Sequence, residues 1–271
     1  MRNLAALLLA VSAVSSAGCS RLDFIKPSAA RGKSEQVAPV YDFSDAGRRS
    51  RADSPVVHLL RGEQALHEGR PADAEAEARK ALAIDGRNEL AHTLLALSLD
   101  YQGRASDAGR HYERAAELAP RSGAALNNYG SWLCLNGRAA ESLAWFDRAL
   151  ADPGYASPAA ALANAGACAV EGGQPDRAER DLRNALRLDP VNTVALEALA
   201  RHLHARGEYF EARAFSQRRL DAAPATPAAL LIASQIEDKL GDKAAAARYV
   251  QRLRTEFPQA QTALPGDSSS R

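Results

Sequence analysis

The chain has 271 residues, and its formal net charge is +1, although 25% of the residues are charged. This near-neutral balance excludes the strongly basic surface typical of nucleic-acid binding, so no nucleic-acid partner is expected. Aromatic residues make up only 6% of the chain. The bulk composition therefore indicates a helical protein without pointing to a function.

Residues 1–18 have the pattern of a secretory signal peptide. Arg2 provides a basic start, and the stretch from Leu4 to Val14 is apolar except for Ser12. A membrane-spanning helix needs about 20 apolar residues, so this stretch is too short to be one. The sequence therefore predicts export from the cytoplasm.

A cysteine follows this signal at position 19. The run Ala17-Gly18-Cys19 resembles a bacterial lipobox, although Ser16 stands where that motif usually has leucine. The resemblance implies cleavage before Cys19 and attachment of lipid to its sulfur. Because Ser20 rather than an aspartate comes next, it further implies a location on the periplasmic face of the outer membrane. The alternative is ordinary signal cleavage nearby, which would remove Cys19 or leave it free.

Residues 19–54 mix charges of both signs with serine, proline, glycine and alanine, and they show no helical period. We expect a lipidated cysteine followed by a flexible tether, which at this length would reach about 30–35 Å. At the other end of the chain, residues 259–271 are expected to form a disordered tail.

Six glycines recur at nearly constant spacing between these two ends. Four of the five intervals are 34 residues, and the interval from Gly137 to Gly173 is 36. The glycines are Gly69, Gly103, Gly137, Gly173, Gly207 and Gly241. A period near 34 is typical of a helical hairpin repeated along a solenoid. Glycine at this place can adopt the left-handed conformation that ends the first helix of each hairpin.

A small residue follows each of these glycines five places later, where it allows the second helix to approach closely. These residues are Ala74, Ala108, Ser142, Ala178, Ala212 and Ala246. A second small residue comes seven places further on in four units, as at Ala149 and Ala185, but Arg219 and Leu253 break this rule.

The third unit contains Leu126-x2-Tyr129-Gly130-x2-Leu133 and then Ser142-x3-Phe146. These residues resemble the tetratricopeptide repeat, whose pattern has Trp-x2-Leu-Gly-x2-Tyr and then Ala-x3-Phe. The resemblance implies an all-α fold, in which residues 55–258 form a solenoid of six helical hairpins with a right-handed superhelix. Such a fold presents a long groove for binding other proteins.

In this repeat family, the second, fifth, ninth and twelfth places of each first helix usually face a ligand. The resemblance therefore implies partner contacts at Asn127, Ser131, Glu197 and Arg201. Asn128 and Asn164 occupy equivalent places in consecutive units, and their amides can both donate and accept hydrogen bonds. They could hold the backbone of an extended peptide, or they could bond to neighbouring helix ends or to each other.

The middle of the chain supports a more specific assignment. It contains Asn127-Asn128-Tyr129-Gly130-Ser131-Trp132-Leu133-Cys134, a two-residue lengthening near Pro153-x-Tyr155, and then Asn164-x-Gly166-x-Cys168. This combination resembles the PilF/PilW family of type IV pilus biogenesis lipoproteins. The resemblance implies a pilotin, an anchored scaffold that helps subunits of the pilus secretin reach the outer membrane and multimerise there, and hence supports twitching motility.

Aromatic residues concentrate near this motif, at Trp132, Trp145 and Tyr155. They could anchor a partner, because aromatic side chains are enriched at binding hot spots. They could equally belong to the packing between helices. The extra residues at 153–155 are expected to bulge one loop and to change the pitch of the solenoid locally.

Cys134 and Cys168 lie on the first helices of adjacent units. A disulfide between them is feasible if their Cα atoms come within about 4.4–6.8 Å of each other. The alternative is a pair of buried thiols that act as small apolar fillers.

No motif for catalysis, a cofactor or a metal stands out. His202 and His204 are two residues apart, which places them on different faces of a helix, whereas helical zinc sites favour His-x3-His. We therefore expect a non-enzymatic scaffold with no cofactor and no small-molecule substrate. Two alternatives to the pilotin remain, namely an adaptor that docks cell-wall enzymes or another periplasmic assembly machine, and a structural spacer.

Overall fold

The computed structural model describes residues 54–259, where the chain forms twelve α-helices and no strand. The predicted signal peptide, Cys19, almost all of the tether and nearly all of the tail lie outside this range. The helices are α1 (Pro55–His67), α2 (Pro71–Ile84), α3 (Glu89–Tyr101), α4 (Ala105–Leu118), α5 (Gly123–Leu135), α6 (Ala139–Leu150), α7 (Pro158–Glu171), α8 (Pro175–Leu188), α9 (Thr193–Ala205), α10 (Tyr209–Ala222), α11 (Pro227–Leu240) and α12 (Lys243–Glu256).

Consecutive helices pair into six hairpins, from α1 with α2 to α11 with α12. The two helices of a hairpin make the most extensive contacts in this part of the chain, and each hairpin otherwise contacts mainly its neighbours. This nearest-neighbour pattern is that of a solenoid. The predicted all-α solenoid of six hairpins is therefore confirmed. None of the helices in residues 54–259 is both long and apolar enough to cross a membrane.

The six periodic glycines form the turn inside each hairpin. All six have positive φ angles, between 69° and 84°. The residue after each glycine donates its backbone N–H to a carbonyl five residues earlier, as Arg70 does to Ala65 at 2.8 Å. This hydrogen bond closes the first helix in the way that the Schellman motif does. The conformation expected from the sequence is therefore present in every unit.

Small residues lie where the helices of a hairpin approach most closely. Ala74, Ala108, Ser142, Ala178 and Ala212 are all fully buried. Glycines on the first helices allow the same approach, because a Cβ atom on Gly166 would lie only 2.6 Å from Leu182 Cγ. The packing therefore depends on small side chains, since a larger one at these places would force the helices apart.

The two-residue lengthening lies in the loop between α6 and α7. There the Asp152 carboxylate accepts hydrogen bonds from the backbone N–H groups of Gly123 and Gly154, at 2.9 and 2.8 Å. These two bonds lower the pKa of Asp152. Tyr155 packs on Gly123, where a Cβ atom would come within 2.5 Å of the Tyr155 ring. The longer loop is thus fastened to the start of α5.

Candidate partner-binding groove

Three adjoining cavities follow the first helices of the hairpins, and together we call them the groove. The first, of about 570 Å³, lies between α3 and α5. The second, of about 560 Å³, is bounded by α5, α7 and α9. The third, of about 550 Å³, is bounded by α9, α11 and α12. Ser131 and Leu135 line both of the first two cavities. On α9, Arg201 lines the second cavity, and His204, one helical turn further on, lines the third.

Amide side chains occupy the centre of the groove. Asn164 of α7 donates through Nδ2 to Asn127 Oδ1 at 3.1 Å and to Ser131 Oγ at 3.2 Å. Asn164 therefore bonds to Asn127, and not to Asn128 in the equivalent place of the preceding repeat. Asn128 lies in the first cavity and has no side-chain hydrogen bond to a described residue. The Asn164 Oδ1 oxygen and the whole Asn128 amide are available to a bound peptide. Asn127 is buried and lines none of the three cavities, so it holds Asn164 in place rather than contacting a partner.

A disulfide lies in the wall of the second cavity. Cys134 of α5 and Cys168 of α7 have their Sγ atoms 2.10 Å apart and their Cα atoms 5.8 Å apart. Both residues line the cavity. The bond ties the first helices of the third and fourth repeats together directly beside the amide cluster.

The aromatic residues of the third repeat serve mainly to join helices. Trp132 donates its indole N–H to the carbonyl of Ala105 at 3.0 Å. Its ring covers Gly109, where a Cβ atom would lie only 2.1 Å from Cζ2 of the Trp132 ring. The same tryptophan also lines the first cavity. Trp145 packs edge-on against Tyr129, with ring centroids 4.6 Å apart. Trp132 is therefore the one member of the predicted aromatic cluster that both packs the fold and borders the groove.

Glu197 and Arg201 of α9 have different surroundings. Glu197 Oε2 lies 3.5 Å from Nε of Arg219, and the Arg219 side chain is buried. Arg219 is one of the two residues that break the small-residue rule, and its guanidinium also donates to the carbonyls of Ala223 and Pro224. Arg201 is exposed and has no ion pair with a described residue. Of the two, Arg201 is the one available to a partner.

Sequence reasoning missed several residues that line the groove. Tyr101 and Leu135 are 73% and 84% exposed, and both border the first cavity. Each stands two places before a hairpin glycine, a place outside the four that the repeat pattern assigns to ligand contact. Lys239 lines the third cavity and also stands two places before a glycine. This shared position, two residues before a hairpin glycine, was the sequence signal that could have identified them as groove residues.

Among the titratable groups that line the groove, Asp100 and His204 have pKa values shifted by burial. Burial raises the pKa of the Asp100 carboxyl, although a hydrogen bond from Tyr112 opposes this shift. Burial also lowers the pKa of His204, and Lys239 nearby lowers it further. Both shifts favour the neutral form of the side chain. No cluster of metal-ligating side chains occurs in residues 54–259.

Comparison with known proteins adds independent information. The family model for the tetratricopeptide repeat matches residues 93–161 and 168–227. The type IV pilus assembly protein PilF of Pseudomonas aeruginosa is 27% identical over 216 residues, which cover 79% of this chain and 84% of that protein. The crystal structure of PilW, a widely conserved type IV pilus biogenesis factor, aligns with a TM-score of 0.70 at 30% identity, covering 77% of this chain and 97% of PilW. The structure of Pseudomonas aeruginosa PilF aligns with a TM-score of 0.67 at 24% identity, covering 79% and 96% of the two chains.

Proposed function

Because this chain belongs to the tetratricopeptide repeat family and is homologous to the PilF and PilW proteins of type IV pilus biogenesis, we propose that it acts as a pilotin. In this role it binds subunits of the pilus secretin and assists their multimerisation at the outer membrane. The function is that of a scaffold, since repeat solenoids bind other proteins through extended surfaces.

The observation that carries this proposal is the extent of the match to PilW. The alignment covers 97% of PilW, so the likeness extends over the whole array rather than over one or two common repeats. PilW is also 30% identical to this chain over that alignment, which a generic repeat protein of similar length need not be. The groove at the centre of this array offers the amides of Asn128 and Asn164 and the hydroxyl of Ser131 for contact with the secretin subunit.

The proposed mechanism combines anchoring with binding. Lipid on Cys19 would hold the protein to the periplasmic face of the outer membrane, because acyl chains gain about 0.8 kcal/mol for each buried methylene. Residues 19–54 would then act as a tether. A captured subunit would be kept at a raised local concentration where the ring has to insert. Cys19 and most of the tether lie outside the described residues, so this part of the mechanism stands on the sequence.

The first test is secretin multimerisation in cells that lack the gene. Membranes are immunoblotted for the detergent-resistant ring and for the monomer, in the wild type, the deletion strain and a Cys19→Ala strain. We expect the deletion to remove multimers while monomers persist, and the Cys19→Ala strain to show fewer multimers. Normal rings in the deletion strain would overturn the pilotin proposal and would favour an adaptor for cell-wall enzymes or another envelope machine.

A second pair of strains tests the groove itself. Asn128→Ala removes a groove amide that makes no side-chain hydrogen bond within residues 54–259, so it should reduce multimers without lowering the level of the protein. Asn184→Ala is the matched control, because this half-buried asparagine lies on α8 and lines none of the three cavities. Equal multimer levels in the Asn128→Ala strain and the wild type would remove Asn128 from the proposed contact surface.

A further inference from the structure

The two ends of the groove differ in chemistry. At the end formed by α3 and α5, Tyr101 and Leu135 are largely exposed. At the end formed by α9 and α11, the lining includes Arg201 and Lys239. Neither cation makes an ion pair with a described residue. The groove therefore runs from an apolar end to a cationic end.

Most acidic side chains near the cationic end are already engaged. Glu197 pairs with the buried Arg219, and Asp238 pairs with Lys243 at 2.6 Å. Glu171 also lines the second cavity and makes no ion pair with a described residue, so it offsets part of the field of Arg201. In the third cavity Asp238 lies beside Lys239, but it is paired with Lys243, so the three charged residues of this lining leave one net positive charge. An incoming carboxylate would therefore be attracted to the α9–α11 end.

The length of the groove limits what can occupy it. The first helices from α3 to α11 are separated by four helix-to-helix steps of about 8–10 Å each, which gives about 35 Å. An extended chain covers about 3.3–3.6 Å per residue, so about ten residues span this distance. A ten-residue helix would be only about 15 Å long. The amides at the centre suit an extended backbone, whose N–H and C=O groups are free to bond to them.

We infer that the groove binds an extended protein segment of about ten residues, with apolar side chains at one end and acidic side chains at the other. The apolar end lies on Tyr101 and Leu135, the backbone passes Asn128, and the acidic end meets Arg201 and Lys239. This inference deepens the proposed function and rests on it only in taking the segment to belong to a secretin subunit.

Fluorescence anisotropy with defined peptides tests the charge preference. The full-length protein in detergent, with its disulfide intact, is titrated against a ten-residue peptide that has three leucines at one end and three aspartates at the other. Serine and asparagine form the middle. A second peptide replaces the aspartates with asparagines. We expect the acidic peptide to bind about fivefold more tightly, which is the size expected for two exposed ion pairs.

Variants of the protein assign this preference to residues. R201Q combined with K239Q should weaken binding of the acidic peptide to the level of the neutral one, and should leave the neutral peptide unchanged. R187Q is the matched control, because Arg187 is an exposed arginine on α8 that lines none of the cavities. E171Q should tighten binding of the acidic peptide, since it removes a carboxylate that lines the second cavity together with Arg201. Equal affinity for the two peptides, or no effect of R201Q with K239Q, would overturn the inference.

The apolar end is tested in the same assay. L135S should weaken binding of both peptides, whereas L188S should weaken neither, because Leu188 is 54% exposed but lies outside the groove. If L135S and L188S behave alike, the apolar end is assigned wrongly.

The two proposals can fail separately. If secretin rings require the protein but the peptides show no charge preference, the pilotin proposal stands and this inference falls. If the charge preference is found but rings form normally in the deletion strain, the groove chemistry stands and the secretin is not its partner. Ten-residue peptides that tile the secretin sequence connect the two results, since those with an apolar and an acidic end should bind best.

Discussion

Two neighbouring joints of the solenoid hold the same kind of hairpin together by different chemistry. The central joint connects the third and fourth repeats, and it contains the Cys134–Cys168 disulfide and the neutral bonds of Asn164. The next joint connects the fourth and fifth repeats. There Glu179 of α8 pairs with Arg206 at 2.6 Å, and Arg183 of α8 pairs with Glu211 of α10 at 2.8 Å.

This difference shows that the repeat geometry does not prescribe how adjacent units are fastened. The glycine turn and the small residues are common to both regions, whereas the contacts between units are particular to each. The central joint also has an ion pair, between Asp147 of α6 and Arg177 of α8 at 2.6 Å, but its covalent bond and the neutral bonds of Asn164 do not titrate. We therefore expect it to be the more stable of the two and the less sensitive to pH, and we expect the next joint to weaken more in acid.

Among the changes considered for the two joints, removal of the disulfide should lower the free energy of unfolding the most. A crosslink between residues 34 apart in sequence stabilises the folded state by about 3–4 kcal/mol in the chain-entropy treatment. The variant Cys134→Ser with Cys168→Ser should therefore lose about this free energy of unfolding, measured by urea denaturation followed by circular dichroism. Wild-type protein in dithiothreitol serves as the control and should unfold like the variant. An unchanged denaturation midpoint in the variant under oxidising conditions would contradict the account.

The fifth repeat should be easier to stabilise than the third. Ser216 of α10 is 4% exposed, and its hydroxyl oxygen has no hydrogen-bond partner among residues 54–259. Removing an unsatisfied buried hydroxyl relieves a desolvation cost of about 1 kcal/mol or more, so Ser216→Ala should raise the free energy of unfolding. Ser142→Ala is the matched control, because the buried Ser142 hydroxyl donates to the Ala139 carbonyl at 2.6 Å. That variant should lose stability, and a loss of the same size in Ser216→Ala would refute the prediction.

Lowering the pH should also distinguish the two joints, although the expected change in the free energy of unfolding is smaller. The hydrogen bond from Arg183, together with the charges of Arg183 and Arg206, lowers the pKa of Glu179 below its usual 4.5. Because the folded pKa is the lower one, the contribution of Glu179 to stability is complete above the unfolded pKa and is lost as the pH falls through the folded pKa. Glu179→Gln should therefore be less stable than the wild type by about 0.5–1 kcal/mol at pH 7. The difference between the two proteins should be smaller at pH 3 than at pH 7, as thermal unfolding at both pH values would show.

A variant of the central joint provides the contrast. Asn164→Ala removes neutral hydrogen bonds that do not titrate, so its stability difference from the wild type should stay the same between pH 7 and pH 3. If the Asn164→Ala difference disappeared in acid as well, the two joints would not differ in the way proposed here.

The fold was largely predictable because its determinants are local and steric. A glycine that must adopt positive φ and an alanine that must lie under a neighbouring helix leave a period that can be read directly from the chain. The central stretch from Asn127 to Cys168 also led to the PilF and PilW homologues, which the comparisons support. The place of the second cysteine in the next repeat made a disulfide feasible, but only the Cα–Cα distance of 5.8 Å provides the geometry for one.

The candidate site was less predictable, because it depends on which side chains of different repeats meet. Asn128 and Asn164 are equivalent in sequence register, yet Asn164 bonds to Asn127. Glu197 and Arg201 both lie at places that usually face a ligand, but Arg219 from the following helix engages Glu197. Tyr101 and Leu135 were not selected at all, since the family pattern does not assign their place to ligand contact.

The sequence by itself determined six hairpins, their turns and the close approach of their helices, since each of these follows from the steric needs of a few neighbouring residues. Only the tertiary structure decided which charges remain unpaired, which amides are already engaged and where the apolar side chains line a cavity. These outcomes depend on how successive hairpins rotate against each other, because that rotation brings together residues that are 20 to 40 places apart in the sequence.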